Sequence, residues 1–347
     1  MTKHRLFWPI AALVALLLVD LVVKPSFFAV EFRDGHLYGS LIDILRLGAP
    51  LILVGIGMTL VVATRGIDLS VGSVVAISGA LACLHLSGLG DQNSVGGTVV
   101  AVAMALGLCL ALGAWNGFLV SVLGIQPIIA TLILMVAGRG IAQLITDGQI
   151  ITITSGPFRA IGSGYLLMLP VSILIALVVF VLTTVLVRRS ALGLLIEAVG
   201  GNPEASRLSG LRSGRLIWLV YVFGGLCAGV AGLMISANTS GADANHAGLW
   251  IELDAILALT IGGTLLTGGR FSLGGTVIGA LLIQTLTTTV YTLGIPDTAT
   301  LLVKALVVLV VCLVQSPAFR AKARRRRKAP PPPPAPADRP VKVEVSA

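Results

Sequence analysis

The chain has 347 residues, of which 56% are hydrophobic and only 11% charged, and its mean hydropathy is +0.99. A soluble globular domain carries roughly 25% charged residues, so this composition excludes one and describes an integral membrane protein. The formal net charge of +9 does not indicate nucleic-acid binding, because the excess lies in short loops and one tail that flank apolar spans.

Residues 6–23 form a first apolar span behind Lys3, His4 and Arg5. No A-x-A-like cleavage site follows, so an uncleaved helix with its N-terminus inside is expected rather than a signal peptide. Residues 24–45 are polar and of mixed charge, as in a short external segment. Apolar spans follow at about 47–64 and 72–88, separated by TRGIDLSVG, and at about 97–122 and 127–145, separated by LGIQ. The polar stretch TDGQIITITSGPFRAIGSG then reads as a small external lid or hairpin. A span at 167–187 leads into a polar interval, and further spans lie near 216–237, 253–267, 274–293 and 300–316. About ten spans of about 20 residues each account for most of the chain, which predicts an all-α polytopic fold.

The rest of the chain is organised around the polar interval 188–215, RRSALGLLIEAVGGNPEASRLSGLRSGR. Asn202 suits a helix N-cap, Pro203 the first helical position, and Glu204 the positive end of the dipole. Gly210 supplies a left-handed stop. The helix so defined is about seven residues, roughly 10 Å long. It is too short to be stable alone in water, so it must lie on a surface. That surface is either a partner protein, met by Ala205 and Leu208 with Arg207 at the edge, or the lipid headgroups.

Charge gives an independent check on the spans. With the N-terminus inside, ten crossings put residues 65–71, 123–126, 188–215, 268–273 and the tail on the cytoplasmic side. Those segments hold Arg65, Arg188, Arg189, Arg207, Arg212, Arg215, Arg270 and the run RAKARRRRK. The opposite set holds only Lys24, Arg33, Arg46 and Arg159, beside many acids, so the positive-inside rule is met. Residues 1–317 form the predicted transmembrane domain. Residues 318–347, basic and then proline-rich, are expected to be a disordered cytoplasmic tail against anionic lipid.

No catalytic or metal site is expected. Cys83, Cys109, Cys227 and Cys312 all lie in apolar runs without metal-ligand spacing, and His4, His36, His85 and His246 are scattered. There is no GxxxxGK[ST] phosphate loop, so the chain has no Walker-type ATP site. A weak internal repeat is visible: Ile56-Gly57-Met58-Thr59-Leu60 followed by Arg65 matches Ile261-Gly262-Gly263-Thr264-Leu265 followed by Arg270. It is either a duplicated transporter unit with glycine breaks or a chance likeness between two glycine-rich hairpins.

The central segment Glu197-Ala198-Val199-Gly200-Gly201-Asn202-Pro203-Glu204-Ala205, closing at Gly210, resembles the EAA-like cytoplasmic loop of ABC importer permeases for monosaccharides. GIDLSVG at 66–72, ELDAILALTIGG at 252–263 and GGRFSLGGT at 268–276 extend the resemblance over residues 40–316. Within that group, residues 241–256 and 131–150 look most like the galactofuranose permeases. Ser206 departs from the pattern, where many relatives have a second alanine.

The resemblance implies a permease that works with three partners. They are an ATPase subunit with two fused nucleotide-binding domains, a periplasmic sugar-binding protein, and a second permease (the same chain or a close relative). It also implies the bacterial inner membrane, both termini cytoplasmic, and ATP and Mg held only by the partner. Glu197, Ala198, Gly200, Asn202, Pro203, Ala205 and Gly210 would form the ATPase-coupling segment. On this reading Glu197→Arg or Gly200→Trp should abolish transport and leave the permease in the membrane.

Polar residues inside spans are costly, and they face a cavity or a partner helix. Candidates are Asp68, Ser70, Asn116, Thr131, Arg139, Gln143, Gln284 and Lys304. A neutral sugar needs hydroxyl-bonding groups rather than fixed charge, which favours Asn116, Gln143 and Gln284, with Asp68 and Ser70 at the break in GIDLSVG. For each of them singly, interhelical bonding is the competing role. Asp243, Glu252 and Asp254 fall on the external side, where they either meet a binding protein or cap the next helix; capping is expected for Glu252 and Asp254. An ion-coupled secondary sugar transporter is the alternative class. It would ordinarily need a coupling carboxylate in mid-span, and the spans have almost none.

Overall fold

The computed structural model describes residues 6–33 and 35–315. The expected tail at 318–347 therefore lies outside the described residues. The chain is mostly helical: α1 (Phe7–Val23), α2 (Ser40–Ala63), α3 (Val71–Ser87), α4 (Val95–Ser121), α5 (Pro127–Ile145), α6 (Gly156–Ser163), α7 (Val171–Arg189), α8 (Leu192–Gly201), α9 (Pro203–Leu208), α10 (Ser213–Thr239), α11 (Ile251–Ile261), α12 (Leu273–Thr292) and α13 (Asp297–Gln315). Three two-stranded ribbons join loops: β1 (Glu31–Arg33) with β2 (His36–Tyr38), β3 (Ile151–Thr152) with β6 (Gly241–Ala242), and β4 (Tyr165–Leu166) with β5 (Leu169–Pro170).

Among the described residues, α2, α4, α5, α7, α10 and α12 are long and apolar enough to cross a membrane. Their starts follow local chemistry. Ser94 and Ser272 accept hydrogen bonds from the N–H groups of Gly97 and Gly275, and Pro127 opens α5 at a position that needs no N–H donor.

The core is built on α2 and α10. Nearly every residue of α2 from Gly48 to Ala63 is buried, and α10 packs against α2, α3 and α4. Small residues make that approach: a Cβ on Gly113 would lie 2.6 Å from the carbonyl oxygen of Tyr221, and one on Gly225 would lie 2.5 Å from that of Cys109. In an apolar solvent, helices associate by such close backbone contact. Buried hydroxyls add polar ties, Thr59 Oγ1 to Thr276 Oγ1 at 2.7 Å and Ser78 Oγ to the carbonyl of Gly229 at 2.7 Å.

Contacts sort the loops into two ends. At one, Arg65 donates to the carbonyls of Gly200 and Gly201, and the N–H of Gly269 donates to Ala63. At the other, Ile151 pairs with Ala242, Thr154 donates to Gln92, and the Leu37 N–H donates to Met168. Residues 65–71, 188–215 and 268–273 thus meet at one end, and the 24–45, 89–96, 146–166 and 238–250 segments at the other. The distribution of arginines along the sequence gives the same partition.

One predicted span is corrected. The expected 253–267 crossing is the eleven-residue α11, roughly 16 Å long, which stops at Gly262 and Gly263, the latter at φ +88°. The repeat therefore diverges in structure: Ile56–Leu60 runs inside α2, and its counterpart Ile261–Leu265 is the break that ends α11.

Candidate functional site

The polar candidates lie in the α8–α9 segment at one end, beside α5 towards the other, and at several points between the helices.

In the first, Asn202 is the N-cap expected of it. Its Oδ1 accepts from the Ala205 N–H at 3.0 Å, Pro203 is the first helical residue, and Gly210 takes φ +84°. α9 spans six residues, about one turn and a half. Ala205 is exposed and Leu208 is 79% exposed, whereas Ser206 turns inward and is buried. Leu208 is thus a single exposed leucine between polar neighbours on a short capped helix.

The preceding helix anchors this segment. Gly193, Ile196, Val199 and Gly200 of α8 are buried, while Glu197 and Ala198 are exposed. Glu197 lines a cavity of about 500 Å³ with Phe180, Thr184, Arg188, Phe271 and Ser272. Gly200 has a different role from the one its motif suggested. A Cβ there would lie 1.7 Å from the carbonyl oxygen of Ala63 and 2.5 Å from the N–H nitrogen of Gly269, so it is a wedge inside the fold. Gly200→Trp is accordingly a folding lesion and not a test of docking, which corrects the expectation that such a variant would stay intact in the membrane.

The path candidates separate into three places. Asp68, Ser70 and Asn116 are buried and joined: Ser70 donates from N (2.9 Å) and Oγ (2.6 Å) to Asp68 Oδ1, and Asn116 Nδ2 donates to Ser70 Oγ at 2.8 Å. Among the described residues, Asn116 Oδ1 and the Tyr221 hydroxyl have no hydrogen-bond partner. Gln143 lies apart, donating to Asn245 Oδ1 at 2.7 Å on the rim of a cavity of about 380 Å³. Gln284 is elsewhere again, facing Gly48 of α2. Ser73 links the first two places, because it lines the cavity and its Oγ donates to the Ser70 carbonyl at 2.8 Å.

The remaining polar candidates are tied into the fold. Thr131 donates to the carbonyls of Pro127 and Ile67, and Lys304 pairs with Asp254 at 2.8 Å. That ion pair, rather than a capping role alone, accounts for Asp254. Asp243 is also committed locally: burial pushes its carboxyl up, but hydrogen bonds from the His246 ring and from the N–H groups of Asn245 and His246 outweigh this and hold it below the ordinary carboxylate value. Arg139, disfavoured in the sequence by its fixed charge, donates from Nη1 to the carbonyls of Ala244 (2.9 Å) and Ala247 (2.7 Å). It lines the same cavity as Gln143, together with Trp250 and Glu252. Sequence reasoning missed those two because Glu252 reads as an ordinary first-turn acid and Trp250 as a loop aromatic.

The family described as "Branched-chain amino acid transport system / permease component" matches residues 40–312. The chain belongs to this permease family. It is 50% identical over 323 residues to the galactofuranose transporter permease protein YtfT of Escherichia coli K12, covering 91% of this chain and 93% of that one. It is 40% identical to the fructose import permease protein FruF of Bifidobacterium longum (91% and 88% covered) and 36% identical to the ribose import permease protein RbsC of Escherichia coli K12 (88% and 92%). No solved structure matches the chain. As a permease subunit of an ABC importer, the chain provides the membrane route, and hydrolysis belongs to a separate ATPase.

Proposed function

We propose that this permease imports a monosaccharide, galactofuranose or a related pentose or hexose, across the bacterial inner membrane. A periplasmic binding protein delivers the sugar, and an ATPase with two fused nucleotide-binding domains, carrying ATP and Mg, supplies the energy. The permease pairs with a second copy or a close relative, crosses the bilayer about ten times, and keeps both termini in the cytoplasm. The orientation rests on the arginines at 65, 188, 189, 207, 212, 215 and 270. The sugar class rests on the names of relatives that align over nearly the whole chain.

The observation that carries the reading is α9: a short capped helix whose Ala205 and Leu208 are uncovered, on a segment held to the end of α2 and to the loop that leads into α12 through Arg65, Gly200 and Gly269. A push on α9 therefore reaches two membrane helices through stiff contacts, as a two-state gate requires. Glu197, Ala198, Gly200, Asn202, Pro203, Ala205 and Gly210 form this lever, with Gly200 as its inner bearing. On the substrate path, Gln143 stands at the cavity rim and Asp68, Ser70 and Asn116 beneath it; Gln284 is left on the α2–α12 contact.

Uptake of labelled sugar into proteoliposomes holding the permease, its ATPase and its binding protein tests the reading. Import should require ATP on the ATPase side and stop with vanadate. Import that ignores vanadate and collapses with an uncoupler would overturn it.

A further inference from the structure

We infer that the cavity beside α5 is a sugar-binding station of the permease itself, with Arg139 and Trp250 as its contacts; the inference rests on the monosaccharide reading above. Its volume of about 380 Å³ falls in the roughly 300–1,000 Å³ range of small-molecule clefts.

The polar groups there are incompletely used. Arg139 carries five N–H donors, of which Nη1 serves two carbonyls. Among the described residues no hydrogen bond takes those on Nε and Nη2. Glu252 is only 3% exposed and lines the cavity, but its Oε2 is buried against Gly72 of α3, without a hydrogen-bond partner among the described residues, and is not offered to the cavity. Sugar hydroxyls accept as well as donate, so a vicinal diol in the cavity serves the open donors of Arg139.

Trp250 supplies the second contact. It is 45% exposed and lines the cavity, so its indole face is open to the C–H face of a sugar ring. Its backbone is held left-handed at φ +65°, a conformation that costs free energy for a bulky residue and persists only where surroundings impose it. The surroundings are the turn at 243–250. Asp243 caps it, Arg139 pins two of its carbonyls, and Gly248 at φ +66° presses so close to α3 that a Cβ would lie 2.7 Å from the Gly72 carbonyl oxygen.

The test uses the reconstituted complex with its ATPase and binding protein, with ¹⁴C-galactose, fructose and ribose as probes. Trp250→Ala should lower uptake about tenfold or more, since the sugar ring loses the aromatic face it rests on. Trp250→Phe should recover much of the rate, and Gln143→Ala on the rim should cost only a few-fold. Sugar should also quench the tryptophan fluorescence of the detergent-purified complex saturably, and Trp250→Phe should remove that quench. Co-purification with the ATPase identifies variants that fail to assemble; for those, the quench in wild type and Trp250→Phe decides. Near-normal uptake by assembled Trp250→Ala, or a quench unchanged in Trp250→Phe, overturns the inference. Vanadate-insensitive wild-type uptake would instead overturn the ATP-driven reading, and the quench would still decide whether the cavity holds sugar.

Discussion

The guanidinium of Arg65 donates from Nε to the carbonyl oxygen of Gly200 at 2.6 Å, across 135 residues of chain. Its Nη2 reaches the carbonyl of Gly201, so one side chain at the end of α2 holds the last turn of α8 just ahead of α9. The residue itself is left-handed, at φ +67°.

That backbone conformation makes Arg65→Gly a clean probe, since glycine adopts it without strain. Removing the clamp should cost about 1–3 kcal/mol of stability, the usual range for hydrogen bonds to a charged group. Uptake should fall much further than thermal stability, and Arg65→Lys should restore part of it. A variant less stable but equally active would reduce the clamp to packing.

Gly200 and Gly201 should differ sharply. A Cβ on Gly200 would lie 1.7 Å from backbone oxygen, whereas one on Gly201 meets nothing within 4 Å. Gly200→Ala should abolish accumulation of folded permease in the membrane, and Gly201→Ala should leave it near wild type. Size-exclusion profiles of the two solubilised variants provide the measurement.

The turn that carries Trp250 should be acid-sensitive. Asp243 is held below the ordinary carboxylate value in the folded state, so its contribution is complete above the unfolded-state pKa of about 4 and is lost as pH falls through the depressed folded value. Proteolysis or hydrogen exchange at residues 243–250 should therefore rise only below about pH 4. In Asp243→Ala the same segment should be loose at every pH, so wild-type protection of that segment at neutral pH in the variant would contradict the assignment.

Much of this arrangement was legible in the sequence. The caps at Asn202 and Gly210 and the sidedness of the loops follow from short-range rules, hydrogen-bond capping and arginine placement, that need no tertiary information. The break at Gly262 and Gly263 was not legible, because apolar composition continues through it and only the approach of Gly275, whose carbonyl oxygen would lie 2.4 Å from a Cβ on Gly262, explains the glycine. The polar cavity was hidden for a similar reason. Arg139 and Glu252 are 113 residues apart in the chain (252 less 139), and each reads alone as an isolated charge. The wedge role of Gly200 also depends on Ala63 and Gly269, which are distant in sequence.

The central claim is that α9 is where the ATPase takes hold. With Cys83, Cys109, Cys227 and Cys312 replaced by alanine, Leu208→Cys on α9 and, as a control, Leu167→Cys at the opposite end present exposed thiols to a bifunctional cross-linker in membranes that also contain the ATPase. The account predicts a Leu208→Cys adduct with the ATPase whose yield changes when ATP and vanadate are added, and none from Leu167→Cys. Absence of the Leu208→Cys adduct in an assembled, transporting complex, or equal adducts from both positions, would contradict it.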